Sequence, residues 1–264
     1  MSLPAGLLSR PIAHRGLHEL ARGIPENSLA AAEAACRAGY AIELDLQPSL
    51  DGVAMVFHDD RLDRLAGRPG LAAETLAADL EAMPILGTAE RVPRFAAFLD
   101  LVAGRVPLLV ELKSQPGSPV TATAKLAELA LAALDGYRGE VAVMSFNPYA
   151  VAHGAMLRPD LAWGVTTGHG PGLFPQDPAL DAQITGGPLD PRDYGGCFIS
   201  HGLHAAEATW IGPLRAAGLP VLAWTVRSPE DEVLARRFAA NITFEGYRPA
   251  LPAAGLDRPA ETPK

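Results

Sequence analysis

Short apolar runs recur along this chain and alternate with longer stretches of helical period. That alternation is the signature of βα units wrapped around a parallel sheet. Eight strands are predicted, over residues 11–16, 41–47, 106–113, 140–146, 161–167, 196–202, 220–226 and 241–247. Helical stretches fall between most of them: Ser28 to Ala38, 93–103, Val120 to Leu134, Trp210 to Ala217 and Pro229 to Phe238. Ser28 suits the N-cap of the first helix, and Gly39 its left-handed C′ position. Eight strands in about 235 residues fit an α/β fold of the (β/α)8 TIM-barrel type, whose usual size is ~250 residues. A doubly wound open sheet ranks second. It calls for a glycine-rich loop after the first strand, and His14-Arg15-Gly16-Leu17-His18 is not one.

Two places break the rhythm. The 48 residues between His58 and Pro107 are too many for one helix and its turns. Residues 60–92 are therefore read as a small insertion on the catalytic side, after the His58 segment, whose apolar spacing suggests one small packed helix. The tail from Arg248 to Lys264 carries four prolines and little periodicity. No full closing helix is expected there, and 250–264 reads as an irregular, mobile tail. The whole chain, 1–264, is expected to form a single barrel domain.

The strand ends are where the pattern turns informative. His14-Arg15-Gly16 closes the first run, Glu43-Leu44-Asp45-Leu46-Gln47 the second, and Glu111-Leu112-Lys113 the third. Between the second and third lies Met55-Val56-Phe57-His58-Asp59, an extended segment after the turn pair Asp51-Gly52 that can fold back over the barrel mouth. Charges in such apolar settings are costly unless paired or bound to metal. Period-2 alternation puts Glu43, Asp45 and Gln47 on one face of their strand, and Glu111 and Lys113 on one face of theirs. In a barrel that face meets the others at the C-terminal mouth. Three carboxylates pointing there repel one another unless a cation sits between them. An all-oxygen set selects one hard divalent ion, Mg2+ or Ca2+, over zinc. Surface ion pairs explain any one of these carboxylates as well, but not all three at matching strand ends. Arg15 offers a fixed bidentate fork for phosphate. Two histidines flanking a phosphate can divide acid and base work. The other histidines, His18, His153, His169 and His204, read as loop or surface residues, and His201 as structural.

Composition narrows the partners. A net charge of -8 argues against nucleic acid, whose backbone demands a basic face, but not against one small phosphodiester. No apolar stretch reaches membrane-spanning length, and the N-terminus lacks the basic region and long apolar core of a signal peptide. A soluble cytoplasmic protein with no stable membrane insertion is expected. Cys36 and Cys197 show no motif spacing and read as buried free thiols.

The ordered set His14-Arg15-Gly16, Pro25-Glu26-Asn27-Ser28, Ile42-Glu43-Leu44-Asp45, Asp51-Gly52, Val56-Phe57-His58-Asp59, Glu111-Leu112-Lys113, Ser145-Phe146-Asn147-Pro148 and Trp224-Thr225-Val226 resembles the glycerophosphodiester phosphodiesterase family. The resemblance covers residues 11 to about 249. It implies a TIM barrel, metal binding by Glu43, Asp45 and Glu111, acid–base roles for His14 and His58, and phosphate contacts from Arg15 and Lys113. Phe146 and Trp224 are candidates for an apolar wall against the glycerol carbons, with barrel-core packing the equal alternative. The chain departs from the family pattern at Ser28, within Pro48-Ser49-Leu50, and at Thr243-Phe244-Glu245, which leaves the substrate wall open and makes Glu245 a candidate for it.

The activity so implied is metal-dependent hydrolysis of a deacylated phospholipid, such as glycerophosphocholine or glycerophosphoethanolamine, to sn-glycerol 3-phosphate and an alcohol. A lysophospholipase D-like enzyme on the same scaffold ranks second. A non-catalytic phosphoester-binding protein ranks last, because no metal ligand or histidine has been lost. Head-group preference, the choice between Mg2+ and Ca2+, the division of roles between the histidines and the oligomeric state stay open at this stage.

Overall fold

A computed structural model describes residues 1–114, 121–168, 178–185, 188–205 and 209–252. The strands are β1 (Ile12–Ala13), β2 (Ala41–Pro48), β3 (Ala54–Val56), β4 (Leu108–Leu112), β5 (Val141–Ser145), β6 (Ala162–Thr167), β7 (Phe198–Gly202), β8 (Val221–Val226) and β9 (Asn241–Phe244). All except β3 pair in parallel with their neighbours, in the order β1-β9-β8-β7-β6-β5-β4-β2. The ring is closed because β1 also pairs with β2, Ile12 opposite Ala41. Closure of the eight parallel strands makes this a (β/α)8 barrel and removes the open-sheet alternative.

Residue parity along each strand decides which side a residue serves. Ile42, Leu44 and Leu46 of β2 join Val110 and Leu112 of β4 in a cluster with Phe95, Phe98 and Leu99 of the helix Phe95–Val102. The alternate residues point inward. At the base of the barrel Ile12, Ala41, Leu109, Ala142, Phe198 and Leu222 pack together, with Leu3 and Leu7 among them. Leu7 comes from the short helix Ala5–Ser9, which the sequence pattern does not predict, since five residues are too few to show a period. Asn241 ties this helix down by donating from Nδ2 to the carbonyls of Leu7 and Arg10, at 2.8 and 2.6 Å. The base is thus plugged by apolar side chains, and the polar inward residues lie toward the other end.

Three sequence expectations need correction. The first strand stops at Ala13 instead of running to residue 16. Arg15 and Gly16 adopt φ of 56° and 79°, which turns the chain off the sheet. Gly16 is required there, since a Cβ would lie 2.8 Å from the Ala31 side chain and 3.0 Å from its backbone. The last strand likewise ends at Phe244, not at 247. The insert is not one helix. It is built from the short helices Asp63–Ala66 and Ala77–Glu81 with a 3-10 turn, Ala72–Glu74, between them, all enclosing their own core of Leu62, Leu65, Leu80, Met83 and Ile85 against Met55 and Phe57.

The Asp51-Gly52 turn returns the chain antiparallel along β2, with Leu46 opposite Val56 and Pro48 opposite Ala54. Ser49 closes this turn. Its amide and hydroxyl both bond Val53, at 2.9 Å each, and the hydroxyl donates to Asp51 Oδ1 at 2.7 Å. Ser28 caps the helix Leu29–Ala38 through the amide of Ala31, and Gly39 ends it with φ of 81°. Cys36 and Cys197 are free but only partly buried. From Arg248 to Pro252 there is no regular structure, and the rest of the expected irregular tail lies outside the described residues, as does His169. Among the described residues no helix is long and apolar enough to cross a membrane.

Two predictions follow from this packing. Leu7→Ala opens a cavity in the barrel base and should lower stability by about 2–5 kcal/mol in urea unfolding. A loss below 0.5 kcal/mol would show that the plug carries no weight. Second, Glu33 on the helix Leu29–Ala38 accepts from Arg105 at 2.6 Å and from Arg37 at 2.7 Å. These hydrogen bonds, that of Arg105 foremost, hold its pKa down to about 2 from 4.5. A depressed carboxylate stabilises the fold fully above its unfolded pKa and loses that contribution as pH falls through the folded value. The Tm difference between wild type and Glu33→Gln should therefore narrow from pH 5 to pH 2, and a difference constant across that range would contradict the assignment.

Candidate active site

Glu43 and Asp45 on β2, and Glu111 on β4, are all buried at the inner C-terminal end of the barrel. Asp45 and Glu111 are direct register partners. One carboxylate oxygen from each of the three lies within 4.8 Å of the others. Burial and repulsion from Asp45 and Glu111 push the Glu43 carboxyl well above its ordinary range. Burial acts on Asp45 in the same direction, but Lys113, His58, Arg15 and His14 together outweigh it and hold Asp45 far below its usual value. Lys113 Nζ stands 2.9 Å from Asp45 Oδ1 and 2.5 Å from Glu111 Oε1, and the two carboxylates raise it against the opposing effect of burial. The donor set fits a hard divalent cation. It is all oxygen, it converges, and its most burdened member is the one that a cation would relieve.

Beside this cluster the β1 turn presents Arg15. Its left-handed conformation is rare for a residue with a side chain. It directs the Arg15 amide to Glu43 Oε2, at 2.9 Å, and the guanidinium inward to Glu26 Oε1, at 2.6 Å. The buried Nε lies 3.5 Å from Asp45 and has no hydrogen-bond partner among the described residues. A second left-handed residue, Asn27, donates to the Arg15 carbonyl at 2.9 Å. Its side chain also brackets Asp45, giving Nδ2–H to Oδ2 at 2.8 Å and taking the Asp45 amide at 3.2 Å. Glu26 and Asn27 stand inside the motif Pro25-Glu26-Asn27-Ser28, yet sequence reasoning assigned neither a role.

Each candidate histidine carries a carboxylate on Nδ1. His14 Nδ1 is 2.5 Å from Glu245 Oε2, and its Nε2 faces Glu43 at 4.0 Å. Burial pulls the His14 imidazole below its ordinary pKa, and the Glu245 hydrogen bond opposes this. Glu245 is itself anchored by Arg227 Nε at 2.7 Å and faces His18 at 3.9 Å, so His18 belongs to the rim of the site and is not merely a loop residue. Glu245 thus stands behind His14. A carboxylate at Nδ1 selects the tautomer with its proton there and leaves Nε2 for proton transfer. His58 reaches the site because β3 folds back along β2. The Phe57 amide donates to the Asp45 carbonyl at 3.0 Å, and Gln47 Nε2 donates to the His58 carbonyl at 3.2 Å. Its Nδ1 lies 2.6 Å from Asp59 Oδ1.

Phe146 follows β5 directly and Trp224 lies within β8, and they meet edge to face with ring centres 5.5 Å apart. His201 is buried, bonded through Nδ1 to Thr167 Oγ1 at 2.8 Å and set edge-on to Trp210. It is a packing residue, as its parity on β7 requires. His153 lies 3.3 Å from Glu128, and His204 is exposed; neither is part of the cluster.

Comparison with known proteins identifies the family. The chain is 36% identical over 112 residues to the Bacillus subtilis protein YhdW, spanning 40% of this chain and 45% of that one. It is 28% identical over 163 residues to the glycerophosphodiester phosphodiesterase of Caldanaerobacter subterraneus, 58% of this chain and 65% of the relative. The matches thus span less than two thirds of either relative. An Oleispira antarctica phosphodiesterase, solved with the product sn-glycerol-3-phosphate, has the same fold, with a TM-score of 0.72 over 92% of this chain and 93% of its own at 22% identity. The glycerophosphoryl diester phosphodiesterase profile matches residues 14–167, from the first candidate histidine to the end of β6. With more than half of its length so matched, the chain belongs to the glycerophosphoryl diester phosphodiesterase family.

Proposed function

We propose that this protein is a metal-dependent phosphodiesterase that cleaves glycerophosphodiesters, such as glycerophosphocholine or glycerophosphoethanolamine, to sn-glycerol 3-phosphate and an alcohol. The observation that carries the proposal is the convergence of two carboxylate-backed imidazoles on one buried acidic cluster, with an arginine and a lysine beside it. Glu43, Asp45 and Glu111 would hold one Mg2+ or Ca2+, whose charge would offset that developing on phosphate and glycerol oxygens. Arg15, with its Nε facing inward, and Lys113 orient the non-bridging oxygens. One imidazole accepts through Nε2 the proton of the glycerol 2-hydroxyl as its oxygen bonds to phosphorus, the other gives a proton to the alcohol oxygen as its bond to phosphorus breaks, and water then opens the resulting cyclic phosphate to sn-glycerol 3-phosphate. Glu245 and Asp59 keep each ring turned for that transfer. Phe146 and Trp224 supply the apolar side of the glycerol subsite.

Lysolipid cleavage is the weaker reading. Of the apolar residues that the insert offers for a membrane-facing lip, Leu80, Met83 and Ile85 are consumed by its own core. A binding role without catalysis does not account for two histidines with separate carboxylate partners.

Release of glycerol 3-phosphate from a panel of glycerophosphodiesters, with and without chelator, tests the proposal. Exhaustive chelation should abolish turnover, and Mg2+ or Ca2+ should restore it. Glu43→Gln, Asp45→Asn and Glu111→Gln should each lose most activity while staying folded by circular dichroism. Full activity after chelation would defeat the metal assignment. His14→Ala and His58→Ala should each lower kcat roughly 10²–10⁴-fold, the usual worth of acid–base catalysis. Each should also remove one limb of the bell-shaped rate–pH profile, and an unchanged kcat in His58→Ala would remove that residue from the mechanism.

A further inference from the structure

The insert helix Asp63–Ala66 carries Arg64 to a point between two carboxylates of the site. Its guanidinium makes two forks. Nε and Nη2 donate to Asp59 Oδ2 and Oδ1, both at 2.8 Å. Nη1 and Nη2 donate to Glu26 Oε2 and Oε1, both at 2.9 Å. Each carboxylate in turn holds a group aimed at the reaction. Asp59 Oδ1 is 2.6 Å from His58 Nδ1, and Glu26 Oε1 accepts from Arg15 Nη1 at 2.6 Å. Arg15, Glu26, Arg64, Asp59 and His58 therefore form an unbroken line in which anionic carboxylates separate the basic groups.

We propose that Arg64 is a positioning residue, which locks His58 and Arg15 into one arrangement so that the acid–base group and the phosphate fork keep a fixed separation. The inference rests on the function proposed above. It follows from planarity. One rigid guanidinium shared between two bidentate pairs fixes both carboxylate planes at once, which an ammonium cannot do. The same contacts add a polar tie to the packing of the insert core against Met55 and Phe57. Arg64 is 46% exposed, so its replacement leaves that core intact.

The test compares Arg64→Gln, Arg64→Lys and Arg64→Ala with wild type, with Arg61→Gln as control, since Arg61 pairs with Asp63 and lies outside the line. Arg64→Gln should lower kcat about 10- to 100-fold, the scale set by misplacing a reacting group by about 1 Å. Its Tm should stay near that of wild type. Arg64→Lys should not recover the loss, and Arg61→Gln should behave as wild type. Millimolar guanidinium ion should restore part of kcat in Arg64→Ala, which a purely structural role would not allow. By proton NMR, the slowly exchanging Nδ1–H signal of His58 should be sharp in wild type and broadened in Arg64→Gln. Wild-type kcat in Arg64→Gln overturns the inference. So does a loss matched by a fall in folded fraction with no guanidinium rescue. If wild type cleaves no glycerophosphodiester, the proposed function fails, and the His58 signal alone decides: an unchanged signal in Arg64→Gln overturns positioning, and a broadened one sustains it.

Discussion

Three carboxylates buried side by side at the end of a barrel are the constraint on which the rest of the site depends. Burial disfavours their charge, and each raises the cost of its neighbours. What surrounds them answers that cost. Lys113 sits between Asp45 and Glu111, the Arg15 amide serves Glu43, and Asn27 brackets Asp45. Two backbone residues adopt left-handed conformations to deliver these groups. A polar cluster of this kind is tolerable only if every member is engaged. It is also poised for a cation, since the balance left by lysine and arginine against three carboxylates is still negative.

How much of this was legible in the chain depends on the reach of the contact involved. The parallel strands show as buried runs because both of their faces are covered, and period-2 alternation sorted Glu43 and Asp45 from Leu44 and Leu46 correctly. The fold-back of the His58 segment was legible from Asp51-Gly52, and Ser28 and Gly39 marked their helix ends. The base-plugging helix was not legible, because five residues carry no period and its burial comes from strands far along the chain. Glu245 stands 231 residues from His14, and Arg64 stands 38 from Glu26. Nothing local announces such pairs. The departure at Thr243-Phe244-Glu245 marks Glu245 for the substrate wall but not for His14, and Arg64 looks like an ordinary surface charge until docking of the insert brings it in.

The two histidines are supported by unlike means. His14 leans on Glu245, beyond the last barrel strand, and that carboxylate is held by Arg227. His58 leans on the next residue in sequence, and that carboxylate is held by the insert. One support depends on the barrel closing, the other on a satellite docking. Loosening the insert would disturb one imidazole while leaving the other in place, so the two halves of the acid–base pair have separable stabilities.

The hairpin that carries His58 acts as a ruler. Loops in this architecture commonly tolerate insertions and deletions, because they run over the surface and the strands they join are pinned elsewhere. The connection closed by Ser49 is different, for the strand it leads into is committed on both faces, Val56 to the barrel core and Met55 to the insert core. Side chains alternate faces at every step, so a one-residue slip of β3 against β2 would exchange the places of Val56 and Met55, take Met55 and Phe57 out of the insert core together, and carry the His58 that follows with them. Length variation among natural relatives should therefore gather in the other loops of the mouth, while this turn keeps its count even where its residues change.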